Sequence, residues 1–345
     1  MNPVEMHVTA VLVSYNRKKL LREALAALGA QTRRPDRLIV VDNASDDGAT
    51  ELAADFIAVW GNRGRLIQLT QNTGGAGGFT VGIAAALLPD SDGRMSDWVW
   101  VMDDDTVPHP DALENALQAH ARFAAAGQDS LAVMGSRVVW TDGNNHPMNT
   151  PKPKILAADR EKKRAAAAGG TEIRSISFVS AFLRVPRILA EGLPVADYFL
   201  WNDDFEYSAR LLRGARGLFV PDSVVTHKTK LRGSSDTDPG ERFYFEVRNK
   251  TWVFNQSRAL KLWERNAYRA ATVRRWLRTV KNSTNRKQLA NCLRRGLRDG
   301  IGTKPRYNSE VLLGAGVPDD VAAVIAHLEE PTFKRKTVAD WSSKT

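Results

Sequence analysis

The sequence has almost no cysteine and no long apolar run. Cys292 is the only cysteine among 345 residues, so neither an internal disulfide nor a cysteine-based zinc site can form. No apolar run reaches the ~18 residues that a membrane-spanning helix needs. Residues 1–8 lack the basic start and apolar core of a signal peptide. The sequence therefore predicts a cytoplasmic protein without a transmembrane segment.

Two familiar phosphate-binding motifs are also missing. The glycine-rich stretch Asn72–Phe79 matches neither the dinucleotide fingerprint nor the P-loop. It leads into a predicted apolar helix, Thr80–Leu88. Glycines before a helix let the backbone approach a ligand, and the helix N-terminus offers N–H groups to an anion. The alternative is a tight turn with close packing.

The composition is that of a globular protein with an uneven charge. Hydrophobic residues make up 43%, charged residues 26%, and the formal net charge is +10. Residues 258–306 contain 15 Lys and Arg but only two acids, Glu264 and Asp299. An acidic or neutral body therefore carries a basic C-terminal segment.

The N-terminal part alternates predicted strands and helices. The strands are 8–13, 37–41 and 65–69, and the helices are 18–30 and 50–59. This alternation predicts a parallel α/β sheet, in which ligands bind beyond the carboxyl ends of the strands. Polar clusters fall at those ends, at Asn16, Asp42, Asn72 and Asp103.

One predicted strand ends in three carboxylates. The large apolar residues Trp98–Met102 indicate a strand that is covered on both faces, and Asp103–Asp105 follow it directly. Three adjacent acids repel one another and are costly to desolvate, a conflict that a divalent cation removes. The alternative is a solvated acidic turn or a helix N-terminus, since Pro108 and Pro110 follow.

A second acidic cluster, Asp203, Asp204 and Glu206, begins a predicted helix that runs to about Arg213. Aromatic residues flank these acids, which suits sugar binding and a base of raised pKa. The plainer interpretation is that Asp203 or Asp204 caps the helix.

His227 follows a predicted strand, 220–226, and precedes the loop 228–240. A lone histidine is more often structural than a ligand. The Gly/Ser/Asp-rich loop after it could order over a substrate as a lid.

The remaining elements were assigned by the same patterns. We predict helices at 111–126, 186–191, 241–257 and 318–330, strands at 131–140 and 173–185, and a long or partly disordered excursion at 141–170.

The basic segment begins with an amphipathic helix, 259–280. Its apolar stripe consists of Trp263, Ala267, Ala270, Val273, Leu277 and Val280, with arginines crowding around it. A basic helix of this kind indicates a membrane-surface anchor. The alternatives are a nucleic-acid patch or a solvated face over an ordinary helical core.

Taken together, the motifs resemble the family 2 inverting glycosyltransferases of the GT-A fold. The matching stretches are Val11–Arg17, Val40–Ser45, Asn72–Gly75, Asp103–Asp105, Ser180–Phe182 and Asn202–Glu206. The resemblance covers about residues 8–257. It is strongest to the galactofuranosyltransferases that start cell-wall galactan, although rhamnosyltransferases share most of the frame.

The resemblance implies a domain organisation and a fold class. The GT-A domain would comprise residues 1–257, with a nucleotide-sugar half at about 1–140 and an acceptor half at about 171–257. The fold would be α/β, with a mostly parallel central sheet flanked by helices. Residues 258–345 would form a basic helical extension.

The same resemblance implies roles for particular residues. The donor nucleotide sugar would contact Tyr15, Asn16, Arg17, Asp42, Asn72, Gly74, Gly75 and Asp104. Mn²⁺ or Mg²⁺ would be bound by Asp103, Asp105 and His227. Asp204 would be the catalytic base, with Asp203 as the alternative. The acceptor would contact Trp201, Glu206, Arg248 and Asn249.

The implied activity is transfer of galactofuranose from UDP-galactofuranose to a lipid-linked glycan. The enzyme would lie on the cytoplasmic membrane face, where anionic headgroups attract its basic helices. One alternative keeps the chemistry but uses dTDP-rhamnose as donor. Another, from a different class, is a nucleic-acid-binding α/β protein, although no nucleic-acid partner is expected from the resemblance.

Overall fold

The computed structural model describes residues 5–127, 130–229 and 239–329. In the N-terminal part the strands are β1 (Val8–Ser14), β2 (Arg37–Asp42), β3 (Gly64–Gln68), β4 (Trp98–Asp103), β5 (Thr106–Pro108) and β6 (Leu131–Val139). The helices are α1 (Lys18–Gly29), α2 (Ala49–Trp60), α3 (Gly74–Ala86) and α4 (Ala112–Ala125).

The C-terminal part contains fewer strands and more helices. The strands are β7 (Lys152–Pro153), β8 (Thr171–Ser175), β9 (Ala181–Arg184) and β10 (Arg216–His227). The helices are α5 (Asp159–Ala167), α6 (Val185–Glu191), α7 (Asp203–Leu211), α8 (Phe243–Asn255), α9 (Leu262–Asn282), α10 (Arg286–Gly302), α11 (Asn308–Val311) and α12 (Asp319–Glu329).

The strands form one sheet in the order β3-β2-β1-β4-β9-β6-β10-β8-β7, and β5 pairs with β10. Strands β3, β2, β1 and β4 are parallel, as are β6 and β10. Strand β9 runs antiparallel between β4 and β6. The predicted α/β class with a central sheet flanked by helices is therefore confirmed.

Both faces of the sheet are buried, which explains the uninterrupted apolar strands. On β1, Val11 and Val13 belong to one hydrophobic cluster, whereas Ala10 and Leu12 belong to another. Successive side chains of a strand point to opposite faces. Each face is therefore covered by its own layer of helices.

The basic C-terminal segment packs against the body. Helix α10 lies so close to α8 that a Cβ on Gly296 would be 2.7 Å from Val247 Cβ, and one on Gly300 would be 2.6 Å from Thr251 Cβ. Helix α12 places Val324 and Ile325 in the same cluster as β1. The division of the chain at residue 257 stays a prediction, but the described part of the segment shares the core of the preceding residues.

Several predicted elements differ from the structure. Helix α3 begins at Gly74 rather than Thr80, and the stretch predicted as one strand at 173–185 is split into β8 and β9. The excursion 141–170 contains β7 and α5. Residues 230–238 of the predicted lid and the tail after 329 lie outside the described residues.

The apolar stripe that we predicted on α9 is not the face that packs against the core. Trp263, Val273 and Leu277 are exposed, whereas Glu264 and Trp276 are buried. Glu264 is accommodated because its carboxylate pairs with Arg174, so a polar residue takes a core position. Among the described residues, no helix is both long enough and apolar enough to cross a membrane.

Candidate active site

The polar clusters at the ends of β1, β2 and β4 lie side by side. The strand register puts Ser14 opposite Asp42 and Val13 opposite Asp103. Because these strands are parallel, their carboxyl ends form one edge. The predicted convergence of the clusters at this edge is therefore observed.

The middle carboxylate of the triplet faces β1. Asp104 accepts hydrogen bonds from Ser14 Oγ at 3.2 Å and from Tyr15 N at 3.0 Å. Burial raises its pKa to about 6, although the charge of Arg17 opposes this rise. Asp104 was predicted to contact the donor, but its buried oxygens instead join the ends of β1 and β4.

Arg17 lies across the triplet. Its half-exposed side chain forms an ion pair with Asp105 and approaches Asp104 Oδ1 at 3.4 Å. Burial disfavours the charge of Arg17, but the three carboxylates outweigh that effect and raise its pKa. The arginine thereby relieves part of their mutual repulsion.

His227 completes a cluster with the two outer carboxylates. Strand β10 pairs with β5, which directly follows Asp105, and this pairing brings His227 Nε2 to 3.0 Å from Asp105 Oδ1. One ligand atom each from Asp103, Asp105 and His227 lies within 4.8 Å of the others. Two carboxylates and an imidazole suit a divalent cation.

Asn149 orients the imidazole. Its side-chain Nδ2 donates to Ser177 Oγ at 3.1 Å, so its Oδ1 is the atom that faces His227 Nδ1, at 3.0 Å. An amide oxygen only accepts, so His227 Nδ1 must carry the proton. Nε2 lies 3.0 Å from Asp105 Oδ1, where it donates a hydrogen bond when the ring is charged and would offer a lone pair to a bound cation when the ring is neutral.

The pKa values of the two outer carboxylates are shifted in opposite directions by this crowding. Burial, together with the charges of Asp105 and Asp104, raises the pKa of Asp103 well above its usual value. Burial would also raise the pKa of Asp105, but the hydrogen bond and charge of His227 and the charge of Arg17 hold it below its usual range. A cation bound between these carboxylates would therefore be electrostatically favourable.

The second acidic cluster follows a turn of unusual backbone conformation. Phe199, Trp201 and Asn202 have φ values of 61°, 67° and 68°. Residues other than glycine rarely adopt this left-handed region, and such strain is common at functional sites. Helix α7 begins directly after the turn and carries Asp203 and Asp204 in its first turn.

Arg248 and Asn249, both predicted to contact the acceptor, hold this turn. Asn249 is fully buried, and its Nδ2 donates to the carbonyl oxygens of Tyr198, Leu200 and Trp201 at 2.9, 2.9 and 2.8 Å. Arg248 donates to the carbonyl oxygen of Tyr198 as well and to that of Asp197. Their contact with an acceptor stays a prediction.

Glu206, a third predicted acceptor contact, has partners within the protein. It is buried, pairs with Arg210 at 2.9 Å and accepts from Ser257 Oγ at 2.6 Å. A carboxylate satisfied in this way supports the packing of α7. Its contact with an acceptor stays a prediction.

One cavity of about 360 Å³ brings the two acidic clusters together. Asp103 and His227 line one side, and Asp203 and Asp204 line another. The other lining residues include Gly75, Phe79, Asn149, Phe178, Trp201, Glu246, Arg275 and Trp276. Carboxylates that are a hundred positions apart in the chain therefore face the same space.

The pKa values of Asp203 and Asp204, the first two residues of α7, are both raised but by different neighbours. Burial and the neighbouring charge of Asp204 raise the pKa of Asp203 to about 8. Burial also raises the pKa of Asp204, but its own helix N–H bonds and the charge of Lys250 oppose that rise. Burial therefore raises the pKa of both members of the pair, and the N–H bonds and Lys250 favour the charged form of Asp204.

The β2 end of the site has one unsatisfied oxygen. Asp42 Oδ2 accepts from Thr50 Oγ1 at 2.7 Å and from Ser45 N at 3.2 Å. In the described part of the chain, Asp42 Oδ1 has no hydrogen-bond partner although it is buried. Such an atom is available to a donor group of a ligand.

Two asparagines shape the loops beside Asp42. Asn16 Oδ1 accepts from Asp46 N at 2.8 Å, which fixes the turn after β1. Asn72 is exposed, and its Oδ1 accepts from Gly74 N at 2.8 Å. Tyr15 is exposed beside the first of these turns.

The sequence analysis missed several pocket residues, among them Asn149, Glu246, Arg275 and Trp276. Glu246 accepts from Asn202 Nδ2 at 2.7 Å, from Trp276 Nε1 at 3.2 Å and from Arg275. It therefore fastens α9 to the turn before α7. The sequence signal that could have pointed to Glu246 was its spacing of four from Lys250 on a mostly buried helix.

Gly74 provides a sharp test of the loop geometry. Its φ is +72°, and a Cβ there would lie 2.0 Å from the carbonyl oxygen of Phe199. We expect Gly74→Ala to lower the free energy of unfolding by about 3 kcal/mol, because it adds both backbone strain and a clash. Thermal or urea unfolding measures this change. Gly75→Ala is the matched control, since a Cβ there meets nothing within 4 Å; equal losses in both variants would contradict the packing described.

The fold and the carboxylate-lined cavity define the class of protein as a GT-A glycosyltransferase. The structure of S. aureus TarS 1-349 in complex with UDP superposes with a TM-score of 0.56 at 15% identity, covering 96% of this chain and 92% of that one. Mannosyltransferase PcManGT from Pyrobaculum calidifontis, in complex with GDP-Man and Mn²⁺, gives a TM-score of 0.51 at 14% identity, covering 99% and 85%.

The chain belongs to glycosyl transferase family 2, whose model matches residues 9–184. It is 30% identical over 276 residues to galactofuranosyltransferase GlfT1 of Mycobacterium tuberculosis (strain H37Rv). The aligned region covers 74% of this chain and 84% of that relative. The resemblance seen in the sequence is thus confirmed at the level of the family. The protein is a glycosyltransferase with galactofuranosyltransferases among its relatives.

Proposed function

We propose that this enzyme is a metal-dependent inverting galactofuranosyltransferase that uses UDP-galactofuranose and a lipid-linked glycan acceptor. The observation that carries the proposal is the single cavity lined by Asp103, His227, Asp203 and Asp204. Similarity to galactofuranosyltransferase GlfT1 supports the choice of donor sugar.

The residues present fit a divalent cation. Asp103, Asp105 and His227 would hold Mn²⁺ or Mg²⁺, with Nε2 of the neutral His227 ring as the third ligand. When bound, such a cation neutralises the charge that grows on a departing nucleoside diphosphate. Arg17 is half-exposed, so its guanidinium is free to rotate from Asp105 toward phosphate oxygens.

The nucleotide would lie along the ends of β1 and β2. The unsatisfied Asp42 Oδ1 can accept from an N–H of the base or an O–H of the ribose. The turn of Tyr15 and Asn16 borders this position. Gly75 leaves open space beside the cavity, which allows the donor sugar to approach the backbone of α3.

Asp204 would act as the catalytic base. The charge of Lys250 and a helix N–H favour its ionised form, which can accept the proton of an acceptor hydroxyl. The hydroxyl oxygen then bonds to the anomeric carbon while the bond from that carbon to the UDP oxygen breaks. Attack from the opposite side inverts the configuration. Asp203, protonated at neutral pH, can donate a hydrogen bond to the acceptor.

Helix α9 supports a location on a membrane surface. Its outer face exposes Leu277 and Val273 next to Arg274 and Arg278. Apolar side chains flanked by arginines favour an interface with anionic headgroups, at about 1 kcal/mol per basic residue.

The Asn149 contact gives a prediction that does not depend on turnover. Asn149→Ala removes the acceptor that fixes His227 Nδ1–H, so we expect Mn²⁺ affinity to fall about 10- to 100-fold. Titration of free Mn²⁺ by electron paramagnetic resonance measures the change. Asn145→Ala, in the same loop but bonded to Arg137 rather than to His227, should bind Mn²⁺ as the wild type does. Unchanged affinity in Asn149→Ala would remove Asn149 from the metal site.

The donor is tested by direct comparison. Purified enzyme with Mn²⁺ and a synthetic glycan-lipid acceptor should transfer sugar from UDP-galactofuranose and not from dTDP-rhamnose. Turnover with the rhamnose donor alone would replace the proposed donor. Steep, salt-dependent affinity for nucleic acid without affinity for UDP would reject the enzyme class proposed here.

A further inference from the structure

A second cavity lies on helix α9, outside the carboxylate site. It has a volume of about 280 Å³ and is lined mainly by apolar residues: Ile155, Leu156, Trp263, Ala267, Tyr268 and Ala271. We call it the α9 groove. Ile155 is 75% exposed, Leu156 is 70% exposed and Trp263 is 47% exposed. Clustered exposure of large apolar side chains marks a binding surface.

The α9 groove and the carboxylate cavity are lined by successive residues of one row of the helix. Residues four apart lie on the same face, and one such row is Trp263, Ala267, Ala271, Arg275 and Thr279. The first three line the groove, and the last two line the carboxylate cavity. The rise from Ala271 to Arg275 is about 6 Å, so a single ligand can occupy both spaces.

The charged side chains along this path are mostly positive. Lys154, Lys261 and Arg174 line the α9 groove beside one acid, Glu264, which pairs with Arg174. Arg275 lines the carboxylate cavity, pairs with Glu246 and keeps 46% of its side chain exposed. An apolar trough bordered by cations complements an amphiphile that has an anionic group at the head of a hydrocarbon chain. Alanine at positions 267 and 271 leaves the room that such a chain needs.

We infer that the α9 groove binds the hydrocarbon chain of the acceptor, with Arg275 beside the phosphate that joins chain to sugar. The inference rests on the proposed function and extends it, since it assigns where the lipid part of the acceptor lies. The sugar end would then reach Asp204 through the opening at Trp276 and Thr279. The groove would also raise affinity for long-chain acceptors over short-chain ones.

The test fills the groove and measures binding without turnover. Dodecyl diphosphate serves as the probe, and inorganic diphosphate shows how much binding the phosphates alone supply. We expect Ala267→Trp in the full-length protein to weaken probe binding at least about tenfold, which corresponds to ~1.4 kcal/mol. Ala270→Trp is the matched control, because Ala270 is exposed on α9 but outside the groove; it should bind the probe as the wild type does.

A kinetic arm separates this inference from the proposed function. The KM advantage of a long-chain over a short-chain acceptor should disappear in Ala267→Trp and persist in Ala270→Trp. If no sugar is transferred but the groove variant still loses the probe, the proposed function fails and the groove assignment stands. Unchanged probe binding in Ala267→Trp overturns the assignment, as does a loss confined to binding of anionic phospholipid vesicles, which would make the groove a membrane-insertion surface.

Discussion

Asp204→Asn is expected to lower kcat by about 10³-fold, because the amide cannot accept the proton of the acceptor hydroxyl. Affinity for UDP should stay close to that of the wild type, since Asp204 lies in the first turn of α7 and takes no part in the cluster of Asp103, Asp105 and His227. Steady-state kinetics and calorimetric titration with UDP measure the two effects. A strong loss of UDP affinity would reassign the residue.

Asp203→Asn is the matched control for this variant. With a pKa of about 8, Asp203 carries a proton at neutral pH, and asparagine resembles that protonated form. The loss of kcat at pH 7 should therefore be much smaller than in Asp204→Asn. In the wild type, rate should change near pH 8 as Asp203 ionises, and this change should be absent from Asp203→Asn. Equal losses in the two variants would mean that the pair does not divide the roles as described.

The raised pKa of Asp203 also has a consequence for stability. A carboxyl group that keeps its proton to higher pH in the folded state than in the unfolded state makes folding less favourable as pH rises between the two pKa values. The unfolded value is 3.8 and the folded value about 8. At pH 8, Asp203→Asn should therefore unfold at a higher temperature than the wild type.

Removal of divalent cations is expected to lower activity about 10³-fold, with recovery on addition of Mn²⁺, because the departing diphosphate then lacks its neutralising charge. Asp105→Asn should weaken Mn²⁺ binding by at least about 100-fold, since it removes a proposed ligand outright. Activity against Mn²⁺ concentration gives both results.

The neighbouring carboxylate supplies the control. Asp104 accepts from Ser14 and Tyr15 and lies apart from the three-residue cluster. Asp104→Asn should therefore lower stability while changing Mn²⁺ affinity far less than Asp105→Asn. Full activity in the presence of EDTA would reject the metal dependence.

The carboxylate edge could be predicted because its signals are local. An apolar run such as Trp98–Met102 indicates a strand buried on both faces, and the acids that follow must then lie at the strand end. Parallel strands bring such ends together regardless of loop details. Asp42 and Asp103 were placed at one edge by this reasoning.

The turn before α7 could not be predicted in the same way. Asn249 is 48 to 51 positions from the carbonyl groups it bonds. A single sequence gives no sign that an amide will satisfy three backbone oxygens so far away. The resemblance implied a contact of Asn249 with an acceptor but not its role in holding this turn.

The apolar periodicity of α9 predicted the wrong buried face for a related reason. The stripe through Trp263 and Leu277 is the more apolar face, yet the body covers the face with Glu264 and Trp276. Glu264 can be buried because Arg174 pairs with it from β8. A hydrophobic pattern cannot predict that a charged residue will be buried beside a partner from a distant part of the chain. The apolar face of α9 that remains exposed is available to a ligand.

A crystal soaked with UDP and Mn²⁺ tests the central claim most directly, because Mn²⁺ is located by its anomalous scattering. We predict an anomalous peak within coordination distance of Asp103, Asp105 and His227, with the diphosphate beside it and Asp204 facing the same cavity. A UDP molecule bound elsewhere, or Mn²⁺ that avoids these three side chains, would contradict the account.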